Sequence, residues 1–288
     1  MKIIDILNDK KETNFSFEFF PPKTAEGEKK LLSVVSELKE LNPGFISVTY
    51  GAGGSTREKT FEICDIIQNQ YNITTMCHYT CVGTDAAEIL QNLNLLESKK
   101  ISNIIALRGD PEKSQGKFVK HPNGFGNASE LIQFIKNNQF KFGIAAGCYP
   151  EKHPDSPTLE DDINFLKMKV DTGSEFLITQ LFFDNTKFET YLEKCNKAGI
   201  NVPIIPGIMP ITNFNQIARF KELAECSIPE KLVTELEELK DDPSEFLKKS
   251  LDFTVNQCKE LIKFGVKGIH FYTLNQSKAT VEIMKLLL

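Results

Sequence analysis

A carboxylate, an imidazole, a guanidinium and an amide recur along this chain, each at the end of an apolar run: Glu18, His78, Arg108 with Asp110, and Gln180, joined by Thr49, Tyr149 and Tyr272. Such groups cost free energy in a core unless they are partnered, so their repetition at corresponding points marks a site rather than packing. The chemistry open to them is proton transfer and the holding of a polar ligand. Glu18 is the sharpest member. Phe17 and Phe19 flank it, and their desolvation is expected to raise its pKa toward use as a general acid. The competing reading pairs it with Arg108 inside the fold. Arg108 and Asp110 close the apolar run Ile104-Ile105-Ala106-Leu107, and strand alternation puts them on the face of Ile104 and Ala106, with Pro111 as the stop. Gly143, Ala145 and Gly147 leave room for a flat ligand near the backbone.

These residues need a scaffold that brings strand ends together. Apolar runs and alternation predict strands over 15–20, 45–50, 74–81, 104–110, 142–149, 176–183, 202–208 and 268–274. Helical spacing predicts helices between them: 1–10 before the first strand, then 24–41, 57–71, 85–98 and 128–138, and one starting at Ser156-Pro157 with Glu160, Asp161 and Asp162 in its first turn. Eight strands alternating with helices define an α/β fold, a single (β/α)8 TIM-type barrel, with extra helices at 228–239 and 243–264 between strands seven and eight. No linker or low-complexity stretch divides 1–288, so one domain is expected. Barrel enzymes carry their sites at the C-terminal ends of the strands, where the polar residues above fall.

Composition narrows the function. The chain has 34 Lys and Arg against 39 Asp and Glu, a net charge of −5, with the signs interleaved and no basic stripe for nucleic acid. It has no apolar span long enough for a membrane. An acid at Asp5 and an odd set of seven cysteines without a C-x-x-C pair point to the cytoplasm and against disulfides. Cys77-His78-Tyr79-Thr80-Cys81 is the cluster to test for a metal, but on a strand His78 points away from both cysteines, so no metal site is expected. No G-x-G-x-x-G follows a strand, and Gly51-Ala52-Gly53-Gly54 reads as a rim loop.

Several longer motifs, in order, carry a family resemblance: Phe17-Glu18-Phe19-Phe20-Pro21-Pro22-Lys23, Ser47-Val48-Thr49-Tyr50-Gly51-Ala52, Ala106-Leu107-Arg108-Gly109-Asp110, Thr179-Gln180-Leu181-Phe182-Phe183-Asp184, Ile205-Pro206-Gly207-Ile208-Met209-Pro210 and His270-Phe271-Tyr272-Thr273-Leu274-Asn275. Together they resemble methylenetetrahydrofolate reductase, in the short bacterial form that is a catalytic barrel alone. The resemblance implies non-covalent FAD, NADH or NADPH as electron donor, and reduction of 5,10-methylenetetrahydrofolate to 5-methyltetrahydrofolate. It makes Glu18 and Asp110 catalytic, Glu18 as the general acid that opens the methylene bridge and Asp110 as the charge that tunes the flavin. It assigns the cofactor to Thr49, Tyr50, Ala52, His78, Arg108, Gly109, Asp110, Ala128, Tyr149, His153, Asp162 and Lys169. Gln180, Gln216, Phe220, Tyr272 and Gln276, with Glu18, fall to the folate or the nicotinamide. A homo-oligomer is expected, with folate and nicotinamide nucleotide as its small-molecule partners. The chain departs from the family pattern at Asn127 (for Tyr), at Phe165 and Met168 (for polar residues) and at Gln276 (for Arg). Outside the resemblance, another flavin barrel of the proline dehydrogenase kind, or a folate-binding subunit without catalysis, stays open.

Overall fold

A computed structural model of the chain describes residues 1–9, 12–51, 56–110, 118–224 and 226–288. Among the described residues there are nine short strands, with helices between all but the seventh and eighth: β1 (Asn14–Phe19), β2 (Phe45–Val48), β3 (Thr75–Thr80), β4 (Asn103–Leu107), β5 (Gly143–Cys148), β6 (Phe176–Thr179), β7 (Ile204–Ile205), β8 (Gly207–Ile208) and β9 (Gly268–Tyr272). They form one parallel sheet in the order β7-β6-β5-β4-β3-β2-β1-β9-β8. The seventh strand expected from the sequence is two pieces. Pro206, which has no N–H to give, separates β7 from β8; the first piece pairs with β6 and the second with β9, and so the sheet comes round into a TIM-type barrel.

Side-chain alternation sorts the core into two layers. On β4, Ile104 and Ala106 face the surrounding helices while Ile105 belongs to the barrel interior with Phe45, Met76, Ala145, Phe176, Ile178 and Ile205. Phe17 and Phe19 likewise point out to the helices, which turns Ser16 and Glu18 inward. The same rule puts Cys77 and Cys81 in the outer layer and leaves His78 facing in, as the alternation predicts.

The helices are α1 (Ile3–Asp9), α2 (Ala25–Lys39), α3 (Arg57–Asn69), α4 (Ala86–Ser98), α5 (Ala128–Asn137), α6 (Leu159–Thr172), α7 (Asn185–Lys197), α8 (Asn215–Ala224), α9 (Glu230–Glu238), α10 (Pro243–Lys263) and α11 (Lys278–Leu287). Their starts follow capping chemistry. Thr24, Asp85, Asn127, Thr158 and Asp242 each accept a hydrogen bond from a backbone N–H of the first turn. Two sequence expectations change here. The helix expected from Ser156-Pro157 starts at Leu159, because Thr158 is the capping side chain and Ser156 donates to Asp162 instead. The excursion before β9 holds α8 as well as α9 and α10, and these helices pack a second apolar cluster around Phe183, Phe220, Leu236 and Phe246.

Candidate active site

The barrel interior changes character along its axis. Its lower half is apolar, whereas Ser16, Glu18, Ser47, His78, Thr80, His270 and Tyr272 occupy the upper part, toward the C-terminal strand ends. Glu18 sits among them with its side chain 16% exposed. Its Oε2 lies 3.1 Å from His78 Nε2 and 3.5 Å from His270 Nε2 and accepts a hydrogen bond from Ser47 Oγ at 3.4 Å. Arg108, its partner in the competing reading, is elsewhere: it donates to Asp155 Oδ2 at 2.7 Å, and its guanidinium lies 5.0 Å over the Phe118 ring. The expected rise in the Glu18 pKa is also reversed. Burial pushes the carboxyl up, but the charge of His78 and the bond and charge of His270 outweigh it and bring it down to about 2.

A cavity of about 380 Å³ opens above this cluster, lined by Glu18, Tyr50, His78, Thr80, Gly109, Asp110, Gly147, Tyr149, Gln180 and Tyr272 among others. A second, of about 400 Å³, lies beside it and contains Arg108, Ala128, His153, Asp162 and Lys169. The two share Leu107, Gly109, Asp110, Gly147 and Tyr149, so they are confluent. Between them they collect every residue assigned to the cofactor except Thr49 and Ala52. Thr49 lies just past the end of β2, its carbonyl taken by Thr60 Oγ1 at 2.8 Å; Ala52 lies outside the described residues, as does Pro111.

Backbone detail explains how Asp110 reaches both cavities. β4 stops at Leu107, so the alternation that put Arg108 and Asp110 with Ile104 no longer applies. Gly109 turns with φ of +86°, and a Cβ there would sit 2.7 Å from Val82 Cγ1 and 2.8 Å from Thr80 Cβ. Only glycine makes this turn without displacing β3. Of Gly143, Ala145 and Gly147 along β5, Gly147 alone lines the ligand space. Gly143 lies at the opposite end of the strand, where its missing side chain makes room for Asn103 Oδ1, and Ala145 is in the apolar interior.

The second cavity is a built polar wall. Asp162, buried, accepts from the His153 backbone N–H and from Ser156 Oγ, each at 3.2 Å. Lys169 donates to the Gly147 carbonyl at 3.0 Å; burial draws its pKa down while Asp162 draws it up. His153, lowered by burial, stands edge-on to Tyr149 with ring centres 4.6 Å apart. Asn127 is the cap of α5 and lines this cavity, and Phe165 and Met168 present about half of their surface to solvent at its edge.

Of the residues assigned to folate or nicotinamide, Glu18, Gln180 and Tyr272 line the first cavity. Gln216 and Gln276 line a third, of about 680 Å³, to which Tyr272 and Met209 also belong, so Tyr272 divides the two. Phe220 does not join them; it is buried in the second core, stacked on Phe183. Sequence reading missed Thr80, His270, Ser16 and Ser47. The signal was present, since each lies two residues from a recognised inward-facing residue or pairs across from one.

The fold and site together define a TIM-type barrel whose ligand space lies at the C-terminal rim, with a carboxylate clamped by two imidazoles at its floor. Residues 2–287 match the model of the family described as methylenetetrahydrofolate reductase, and the chain belongs to that family. It is 37% identical over 297 residues to methylenetetrahydrofolate reductase (NADH) 1 of Arabidopsis thaliana, which takes in 99% of this chain and 50% of that protein. The chain thus spans about half the length of that relative. Identity to 5,10-methylenetetrahydrofolate reductase of Buchnera aphidicola is 38% over 283 residues, covering 98% and 94% of the two chains. A solved structure of a Clostridium thermocellum protein that binds two copies of 5-methyl-5,6,7,8-tetrahydrofolic acid shares the fold, with a TM-score of 0.63 at 13% identity over 99% and 98% of the chains.

Among the described residues no group of three or more His, Cys, Asp and Glu side chains could hold a metal ion, and no helix is long and apolar enough to cross a membrane.

Proposed function

We propose that the chain reduces 5,10-methylenetetrahydrofolate to 5-methyltetrahydrofolate with hydride from NADH or NADPH, as a single catalytic domain over 1–288. The observation that carries this reading is the confluence of two cavities at Gly109, Asp110, Gly147 and Tyr149 beneath which Glu18 is held by His78 and His270. The membership of the whole chain in the reductase family supports it.

The residues present fit a flavin. His78 Nε2, though 3.1 Å from Glu18, is not aligned with it as a hydrogen bond, and with Thr80 Oγ1 it is a buried polar atom without a hydrogen-bond partner on the cavity wall. Buried polar atoms left without partners are costly, and a ligand with acceptors and donors would satisfy both. FAD, bound non-covalently, would supply the hydride relay between nicotinamide and folate. Tyr50, His78, Gly109, Asp110 and Tyr149 would hold it in the first cavity, and Arg108, Ala128, His153, Asp162 and Lys169 in the second. Thr49 and Ala52 keep their assignment on the resemblance alone.

Glu18 manages the proton. The imidazoles keep its carboxyl low, so Glu18 is the group through which the bridge nitrogen is protonated and not a store for the proton. Asp110 stabilises positive charge that develops on the folate. Gln180 and Tyr272 orient the substrate, with Gln216 and Gln276 further out and Phe220 acting from the core behind. All seven cysteines are buried and unpaired, which supports a reducing compartment such as the cytoplasm; the homo-oligomer rests on the resemblance.

The test is an anaerobic titration of the purified protein. A flavin absorbance band should bleach with NADH or NADPH and return on adding 5,10-methylenetetrahydrofolate. A colourless protein, or a bleached band that the folate does not restore, overturns the reading.

A further inference from the structure

His270 is fully buried beneath Glu18, and both of its ring nitrogens are engaged. Nδ1 lies 2.7 Å from Ser16 Oγ, whose own proton is directed to the Ile269 carbonyl at 3.4 Å, so Ser16 accepts from Nδ1–H. Nδ1 thus keeps its proton, and Nε2 faces Ser47 Oγ at 3.2 Å and Glu18 Oε2 at 3.5 Å, where only the charged imidazole has a second N–H to give. Ser47 Oγ is in turn 3.4 Å from the same carboxylate oxygen, so it bridges imidazole and carboxylate. Phe45 stacks on the ring at 5.5 Å and Tyr272 meets its edge at 5.6 Å. The titratable groups around it are therefore Glu18 from β1 and Tyr272 on its own strand, with His78 of β3 touching the same Glu18 oxygen; β8 brings only the backbone of Gly207.

We propose that His270 is a positioning residue for proton delivery, which holds Glu18 through Ser47 and supplies the proton that Glu18 hands on. This rests on the folate-reducing role given above. The Nε2 proton of the charged imidazole passes to Ser47 Oγ and the Ser47 hydroxyl proton passes to the Glu18 carboxylate. Glu18 hands that proton to the bridge nitrogen of the folate as the carbon–nitrogen bond opens, and the bond's electron pair stays on the nitrogen. The Glu18 carboxylate and the Ser47 hydroxyl end as they began, and His270 is left as a neutral imidazole with its proton on Nδ1. His270 regains its proton by the reverse route, through Ser47 from Glu18, which lines the first cavity and meets water there. A core imidazole that merely filled space would need neither the Ser16 anchor nor the Ser47 bridge.

The test compares wild type with His270→Gln and Ser47→Ala, using stopped-flow half-reactions and a carbon-13 titration of the Glu18 carboxyl. His270→Gln keeps hydrogen-bonding atoms but cannot carry the proton. It should slow the folate half-reaction roughly tenfold or more and leave reduction by the nicotinamide little changed. The Glu18 carboxyl should titrate at higher pH than in wild type, because a positive partner is lost. Ser47→Ala should slow the folate half-reaction with the imidazole intact. Equal slowing of both half-reactions, or an unmoved Glu18 titration, overturns the proposal. If His270→Gln does not fold, a normal folate rate in Ser47→Ala overturns it. If wild type reduces no folate, the reductase reading is what fails; the Glu18 titration then still decides whether His270 holds the carboxylate.

Discussion

Glu18 takes its ionisation from groups across the barrel and not from its neighbours along the strand. The flanking phenylalanines point outward; burial inside the barrel still raises the carboxyl, but two imidazoles from β3 and β9 outweigh it. No spacing in the chain announces that His78 and His270, 192 positions apart, meet at one oxygen. Glu18→Gln removes the proton carrier while keeping the shape. Flavin reduction by NADH should continue near its wild-type rate, and the folate half-reaction should fall by about 10²- to 10⁴-fold, as measured by stopped flow. Equal losses in both would make Glu18 structural. Gln276 is the other residue-scale case. It lines the third cavity beside Lys278, and an amide there lacks the charge and planar fork with which an Arg meets a carboxylate. Charge-assisted bonds exceed neutral ones by about 0.5–2 kcal/mol, so Gln276→Arg should tighten folate about three- to thirtyfold at low salt. If instead that variant binds as wild type and Lys278→Ala binds much more weakly, the lysine already fills the role.

At the scale of elements, periodicity made the strand and helix order legible because each barrel strand is buried on both faces and each helix on one. The ends were not legible. β2 and β4 stop short of their polar tails at Val48 and Leu107, since the chain must leave the sheet to surround a ligand, and the departure at Gly109 depends on space beside Val82 and Thr80. The split between β7 and β8 has a similar cause. Gly207 follows Pro206, and a Cβ there would lie 2.4 Å from the Thr179 carbonyl and 2.6 Å from Tyr272 Cε2. The Tyr272 hydroxyl donates to that same carbonyl at 2.6 Å, so the glycine is the gap into which the divider between two cavities fits. Gly207→Ala should displace Tyr272 and break that bond, costing about 1–3 kcal/mol as an overpacked core site. Chemical denaturation gives the stability loss, and folate affinity should fall with it. An alanine variant that keeps both would show that Tyr272 has room to move.

The whole molecule separates the end that closes the barrel from the end that carries chemistry. At the bottom, α1 lies across the opening: Ile3 and Leu7 are fully buried against Phe45, Met76, Ile105 and Phe176. Asn103 locks this plug, accepting from the Ile3 N–H at 2.8 Å and donating to the Met1 carbonyl at 3.0 Å, while Lys2 pairs with Glu175 at 2.9 Å. The amphipathic pattern of the first residues predicts the helix, but only the closed barrel reveals what it covers, because the apolar floor is contributed by strands spread over the whole chain. Ile3→Ala leaves a cavity in that floor at a cost of about 2–5 kcal/mol, which for a chain of this size lowers the melting temperature by something on the order of 10 °C. The cavities that gather Glu18, Asp110 and Lys169 lie at the other end of the strands, past the buried interior layer. Folate and nicotinamide half-reaction rates, measured well below the melting temperature, should therefore stay at wild-type values in Ile3→Ala. A melting temperature that holds while either rate falls would mean that α1 acts on the site rather than on the closure of the barrel.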